Sequence, residues 1–232
     1  MLCLGDNPSP HFFWMTKSAD LQRLASLSDC VFAVAMTLLA FSVRIPEQGL
    51  DRGKLPGELV RMLRESSGLV LSFAITAMFW LGQVRLLHSL RQATVGLFYL
   101  ALLQLFWIVL LPISTSVWTR IEARETVLVM GMNLALIALA GLLMWIYCYR
   151  KSLFESVAVG GWIAVELVGP IFPLLVFAIS LVATLWTPVL GDKLWWGAFA
   201  TPFLVHLTRR ARSLAEARAT KGTVVQDKHV ND

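Results

Sequence analysis

Charge is scarce in this chain. Only 15% of its 232 residues are charged, 57% are apolar, and the mean hydropathy is +0.68. A soluble domain carries about a quarter charged residues, so a water-exposed globule is excluded as the main architecture. Cysteine is nearly absent as well: Cys3, Cys30 and Cys148 build no disulfide framework. The sequence has no glycine-rich phosphate loop, no paired catalytic carboxylates, no nucleophile elbow and no Cys/His cluster. Neither His88 nor His206 has metal-ligand spacing around it. No enzyme activity, resident metal or organic cofactor is therefore expected. The net charge of +5 fits basic loops that set topology and meet anionic lipid. It gives no reason to expect nucleic acid as a partner.

Long apolar runs take the place of charge. Thr126–Cys148 contains no charged residue, and Val157–Thr187 contains a single one, Glu166. A span needs roughly 20 apolar residues, which predicts an all-α, polytopic membrane protein. Six spans are read: Ser26–Val43, Gly68–Leu87, Thr94–Trp118, Thr126–Cys148, Val157–Trp186 and Leu190–Thr208. The sixth is interrupted early by Asp192 and Lys193 and is short. Residues 1–22 form an N-terminal segment, 23–208 one six-helix unit without a separate soluble domain, and 209–232 a basic tail. The tail is expected to begin as a helical extension over Arg209–Arg218. The first apolar run starts late and lacks a small-residue cleavage pattern, so no signal peptide is expected. Lysine and arginine are more frequent on the side of the two termini, which predicts both termini in the cytoplasm. Arg44–Glu65 is the one long external connection, and Leu55–Leu63 within it is expected as a short surface helix.

The head of the first span is the most informative stretch. Arg23-Leu24-Ala25-Ser26-Leu27-Ser28-Asp29 runs straight into Cys30–Val43. Ionisable groups there are costly and usually face protein or water. At about 100° per residue, Ala25, Ala33, Met36 and Ala40 share a face with Asp29. Small residues allow close helix approach, so Asp29 is expected to point into the bundle. Arg23 sits too far round the helix to pair with it. The opposite face carries Leu27, Val34, Thr37, Leu38 and Phe41. Lipid contact or subunit packing is one reading of that stripe, and a narrow pore wall is the other.

Other spans carry polar side chains on one face: Ser72, Thr76 and Gln83 in the second, Gln104 and Thr115 in the third, Asn133 in the fourth. These suit interhelical hydrogen bonds, and Gln83 or Gln104 is a candidate partner for Asp29. Glu166 shares a face with Pro170 and Pro173. It reads either as an interfacial carboxylate or as a proton or cation site. The tryptophans, near span ends in part, fit an interfacial aromatic belt.

Arg23-x-x-x-Leu27-Ser28-Asp29, followed by Val31-Phe32-Ala33-Val34-Ala35-x-Thr37-Leu38-Leu39, resembles the Arg-x-x-x-Phe-Ser-Asp signature that opens the first helix of the transmembrane protein 175 family. Leu71-Ser72-Phe73 with Trp80, and Leu110-Leu111-Pro112 with Ser114-Thr115, extend the likeness across about residues 20–145. The resemblance implies a potassium-permeable channel in the cell membrane, a homotetramer whose first helices ring the pore. It implies an apolar constriction at Val34, a hydroxyl layer at Thr37, and a wall continued by Leu38 and Phe41. Arg23, Ser28 and Asp29 become an anchoring network, with Gln83 and Gln104 near it, and potassium is permeant rather than cofactor. The chain departs from the family pattern at Leu27, Gln83 and Ile113. Two rival readings stand beside the channel: a proton-coupled transporter using Asp29 and Glu166, and a non-conducting membrane scaffold.

Overall fold

The computed structural model describes residues 17–42, 55–121, 123–154, 160–211 and 213. The residues 1–16, residues 43–54 of the connection expected to be external, and most of the tail lie outside the described residues, as does the side chain of Glu166. The described chain is helical almost throughout. In order it has α1 (Lys17–Leu38) closed by a 3₁₀ turn (Leu39–Ser42), α2 (Leu55–His88), α3 (Val95–Arg120), α4 (Arg124–Arg150) and α5 (Gly160–Trp186). After these come α6 (Pro188–Leu194), a second 3₁₀ turn (Trp195–Phe199) and a last helix, α7, over residues 200–211.

Five of these helices are long and apolar enough to cross a bilayer: the stretches Asp20–Phe41, Ser66–His88, Val95–Arg120, Arg124–Arg150 and Leu167–Trp186. A multi-pass membrane protein follows from their number and apolarity. The expected sixth span differs, because α6, the 3₁₀ turn and α7 are separate short pieces. Pro188 starts α6 at the position where a missing N–H costs nothing. Gly197 falls within the following turn, and Pro202 sits in the first turn of α7. The short surface helix expected at Leu55–Leu63 also differs, being the first turns of a continuous 34-residue α2. Pro112, Pro170 and Pro173 all lie inside helices, as membrane helices allow when neighbours satisfy the freed groups.

α3 lies against α1, α2 and α4, and α4 carries the chain on to α5 and α6. Two buried clusters fill the interior. The larger gathers Phe32, Ile75, Ile108, Leu134, Phe177 and Trp195; the smaller, near the other end, gathers Leu24, Leu86, Leu97, Met144 and Phe154. Trp145 and Trp195 are core residues rather than belt residues. Trp195 meets Trp118 edge-on at 4.9 Å between ring centroids, and Trp145 stacks on Phe154 at 5.6 Å. An indole can be buried when its N–H has a partner, and Trp195 Nε1 donates to Ser180 Oγ at 2.7 Å. The connection after α2 and the segment after α4 meet at one end of the bundle. Arg91 N donates to the Leu153 carbonyl at 2.9 Å, beside a bridge between Leu90 and Phe154.

The joint between α5 and α6 is tight. Ser180 Oγ donates to the Gly191 carbonyl at 2.7 Å, and a Cβ at Gly191 would collide with Thr184 Oγ1. Replacing Gly191 by alanine is therefore expected to destabilise the fold by about 1–3 kcal/mol through overpacking. Thermal unfolding of the purified protein checks this, and an unchanged melting temperature would contradict the close approach.

Candidate functional site

α1 has two unlike faces. Leu24, Ser28, Phe32, Ala35 and Leu39 are buried, spaced by three and four residues as one side of a helix requires. They pack on α2 and α3. The other side is apolar yet open on the single chain: Leu27, Val34, Leu38 and Phe41 are exposed, Val34 at 56% and Phe41 at 77%. Thr37 sits on this side too, its hydroxyl donating back to the Val34 carbonyl at 2.8 Å. That bond ties the Thr37 hydrogen to its own helix and leaves lone pairs on the oxygen free to face outward. At the far end, an Arg120 guanidinium nitrogen donates to the Phe41 carbonyl at 3.1 Å, fastening the 3₁₀ turn to α3.

Two side chains of α2 set the rotation of α1. Gln83 Nε2 donates to Ser28 Oγ at 2.7 Å, and Ser28 Oγ in turn donates to the Leu24 carbonyl at 2.8 Å. One turn away, Trp80 Nε1 donates to Asp29 Oδ1 at 2.7 Å. The Gln83–Ser28 bond is buried and the Trp80–Asp29 bond exposed. The partner of Asp29 is thus Trp80; Gln83 is engaged by Ser28. Nor does Asp29 point into the bundle with Ala25, Ala33, Met36 and Ala40. It lies exposed on the flank of α1, because the bulkier Leu24, Phe32 and Leu39 take the contact with the neighbouring helices. Arg23, also exposed, pairs with Asp20 at 3.9 Å, too weakly placed for more than a marginal contribution. Gln104 is buried on α3, with its amide beside Gly141 of α4.

Other polar side chains tie the helices further out. Thr115 Oγ1 donates to Ser72 Oγ at 2.9 Å, joining α3 to α2. Asn133 Nδ2 donates to Ser114 Oγ at 3.0 Å, joining α4 to α3. Thr76 bonds the Ser72 carbonyl within its own helix at 2.6 Å. Among the described residues, no three His, Cys, Asp or Glu side chains come together as a metal site. The bond of Trp80 to Asp29 escapes a reading by periodicity, which groups Trp80 with the other tryptophans as an aromatic belt although it lies well inside α2.

These features define an α-helical, multi-pass membrane protein whose first helix is clamped by polar bonds on one side and apolar and open on the other. Residues 23–112 match the sequence profile of the family described as endosomal/lysosomal potassium channel TMEM175. That stretch, which holds both the clamp and the open stripe, is where the chain is similar to the family. A potassium channel of Chryseobacterium sp. (strain P1-3) is 28% identical over 119 residues, 51% of this chain. The match spans 59% of that relative's length. In fold, the chain is similar to a lysosomal potassium-selective channel TMEM175 homolog from Chamaesiphon minutus, with a TM-score of 0.65 and 17% identity. That alignment covers 82% of this chain and 99% of the other. It is also similar to a variant of the potassium channel MtTMEM175, with a TM-score of 0.56 and 19% identity over 90% and 100% of the two chains.

The clamp makes a coupled pair. Ser28→Ala leaves the buried Gln83 amide nitrogen without its acceptor and is expected to cost about 1–3 kcal/mol. Adding Gln83→Leu should recover part of that loss, so the double variant falls short of the sum of the singles. Denaturant unfolding of the four proteins measures this, and strict additivity would show that the two side chains act separately.

Proposed function

We propose that this chain is a potassium-permeable cation channel of the cell membrane, a homotetramer with both termini in the cytoplasm. Its pore is lined by α1, with Val34 as the constriction, Thr37 beside it, and Leu38 and Phe41 continuing the wall. The observation that carries this reading is the apolar stripe on α1, open on the single chain and lying opposite the packed face. An apolar stripe on a membrane helix is cheap against lipid, so apolarity alone does not choose a pore. The choice is supported by where the stripe lies: within the stretch matched to a potassium-channel family, on a helix whose rotation is fixed by Ser28 and Asp29.

In such a pore, ions are not held by a ring of carbonyl oxygens. A ring of valine side chains narrows the path and raises a dewetting barrier that a partly dehydrated ion must cross. The Thr37 oxygens, three residues along, offer lone pairs to an ion leaving that barrier. The Ser28, Asp29, Trp80 and Gln83 side chains act as positioning residues. They hold the helix and do not bind the ion. Asp29 lies off the buried face of α1, and its nearest bonded partner is the Trp80 N–H.

Flux into liposomes tests the reading. The reconstituted protein should pass potassium down its gradient without an imposed proton gradient, and faster than sodium. Val34→Asn should wet the ring and bring the two rates closer together. A permeability ratio unchanged by Val34→Asn would remove Val34 from the role of filter.

A further inference from the structure

α2 and α5 touch where Phe79 meets Phe177, at 6.2 Å between ring centroids, and their backbones scarcely approach elsewhere. Between them opens a cavity of about 420 Å³, walled also by α3, α4 and the chain around α7. That size falls in the range of small-molecule pockets. Its walls are mostly apolar, with Met78, Leu81, Phe79 and Trp145 among them. Gln83, Arg85, Gln104 and Thr201 interrupt the apolar lining. Gln83, 4% exposed, reaches this wall as well as the clamp. Its Nε2 is spent on Ser28, and its buried Oε1 has no hydrogen-bond partner among the described residues. On the facing helix, Gly169, Pro170 and Pro173 line the same space. Proline has no N–H, so Pro173 withholds the bond that a regular helix would give the Gly169 carbonyl.

We propose that this cavity binds the hydroxyl end of a neutral single-chain amphiphile, of the fatty-alcohol class. The lining offers a hydrogen-bond acceptor without a donor, Gln83 Oε1, set in a wall that suits a hydrocarbon chain. A hydroxyl supplies that donor, whereas an alkane supplies none and a carboxylate brings further acceptors. A buried acceptor without a donor is unfavourable enough that satisfying it favours the alcohol over the alkane by about tenfold. Arg85 also lines the cavity and would favour an anion, which makes the fatty acid the decisive competitor. Two glycines in the walls stand open to the cavity. A Cβ at Gly82 meets nothing within 4 Å, and one at Gly169 meets Val205 at 3.8 Å, so larger residues there enter the cavity without displacing backbone.

The test uses the full chain in lipid nanodiscs and a chain-brominated dodecanol, whose bromine quenches nearby tryptophan. Saturable quenching is expected, most of it lost in Trp145→Phe because Trp145 lines the cavity. The matched brominated alkane and brominated dodecanoic acid should bind about tenfold more weakly. Gly82→Leu should abolish the saturable phase, and Gly169→Leu serves the same purpose if the first variant does not fold. Gln83→Leu should bring the alcohol down to the level of the alkane. Equal binding of alcohol and alkane would reduce the cavity to a lipid-tail groove and overturn the proposal. Tighter binding of the acid would overturn it in favour of Arg85. Quenching that survives filling of the cavity, or is indifferent to Trp145→Phe, would place the probe elsewhere and overturn it too.

Discussion

The rotational setting of α1 is the constraint on which the rest depends. A helix turns its faces by about 100° for each residue, so a slip of one position would bring Asp29 into the packed face and push Ser28 out of it. Two hydrogen bonds from α2 prevent that: Gln83 to Ser28 and Trp80 to Asp29. They are placed one turn apart on α2 and on adjacent residues of α1, which fixes rotation as well as depth. In a lipid environment, apolar side chains have little preference between a neighbouring helix and an acyl chain. Directional polar bonds therefore decide which apolar face is packed and which is left open, and the open one carries Val34, Leu38 and Phe41.

That clamp sits inside a wider polar scaffold. Thr115 to Ser72 and Asn133 to Ser114 join consecutive helices by short hydrogen bonds. Ser180 with Trp195 and Gly191 closes the far side. Each bond satisfies a group that lipid could not, and interhelical bonds of this kind hold membrane helices in register. The apolar clusters around Phe32 and around Leu24 fill the space these bonds define. The cavity between α2 and α5 is where that filling stops, at the two proline positions of α5.

Much of this was legible from residue order. The helices α3, α4 and α5 agree with the runs in the sequence to within a few residues, and the stripe of Ser72, Thr76 and Gln83 on α2 follows from helical period alone. Leu27, Val34, Leu38 and Phe41 likewise share a face by period, and they are exposed together. The inward face of α1 was not legible. Ala25, Ala33 and Ala40 suggest close helix approach, yet Leu24, Phe32 and Leu39 make the contact, because α1 packs through large side chains on its own chain's α2 and α3. Trp80 and Trp195 read as belt residues until their N–H partners are known. The broken segment after α5 was legible only in part: Asp192 and Lys193 signal an interruption, but the 3₁₀ turn that separates α6 from α7 has no strong local signature.

Accessibility of position 34 from water tests the central claim most directly. With the native cysteines replaced by serine, Val34→Cys and, as a buried control, Ala35→Cys are made, and potassium flux is followed while a charged, water-soluble thiol reagent is added. The account predicts that the reagent stops flux through the Val34→Cys protein and leaves flux through the Ala35→Cys protein unchanged. Flux that continues undiminished through a fully modified position 34 would contradict it.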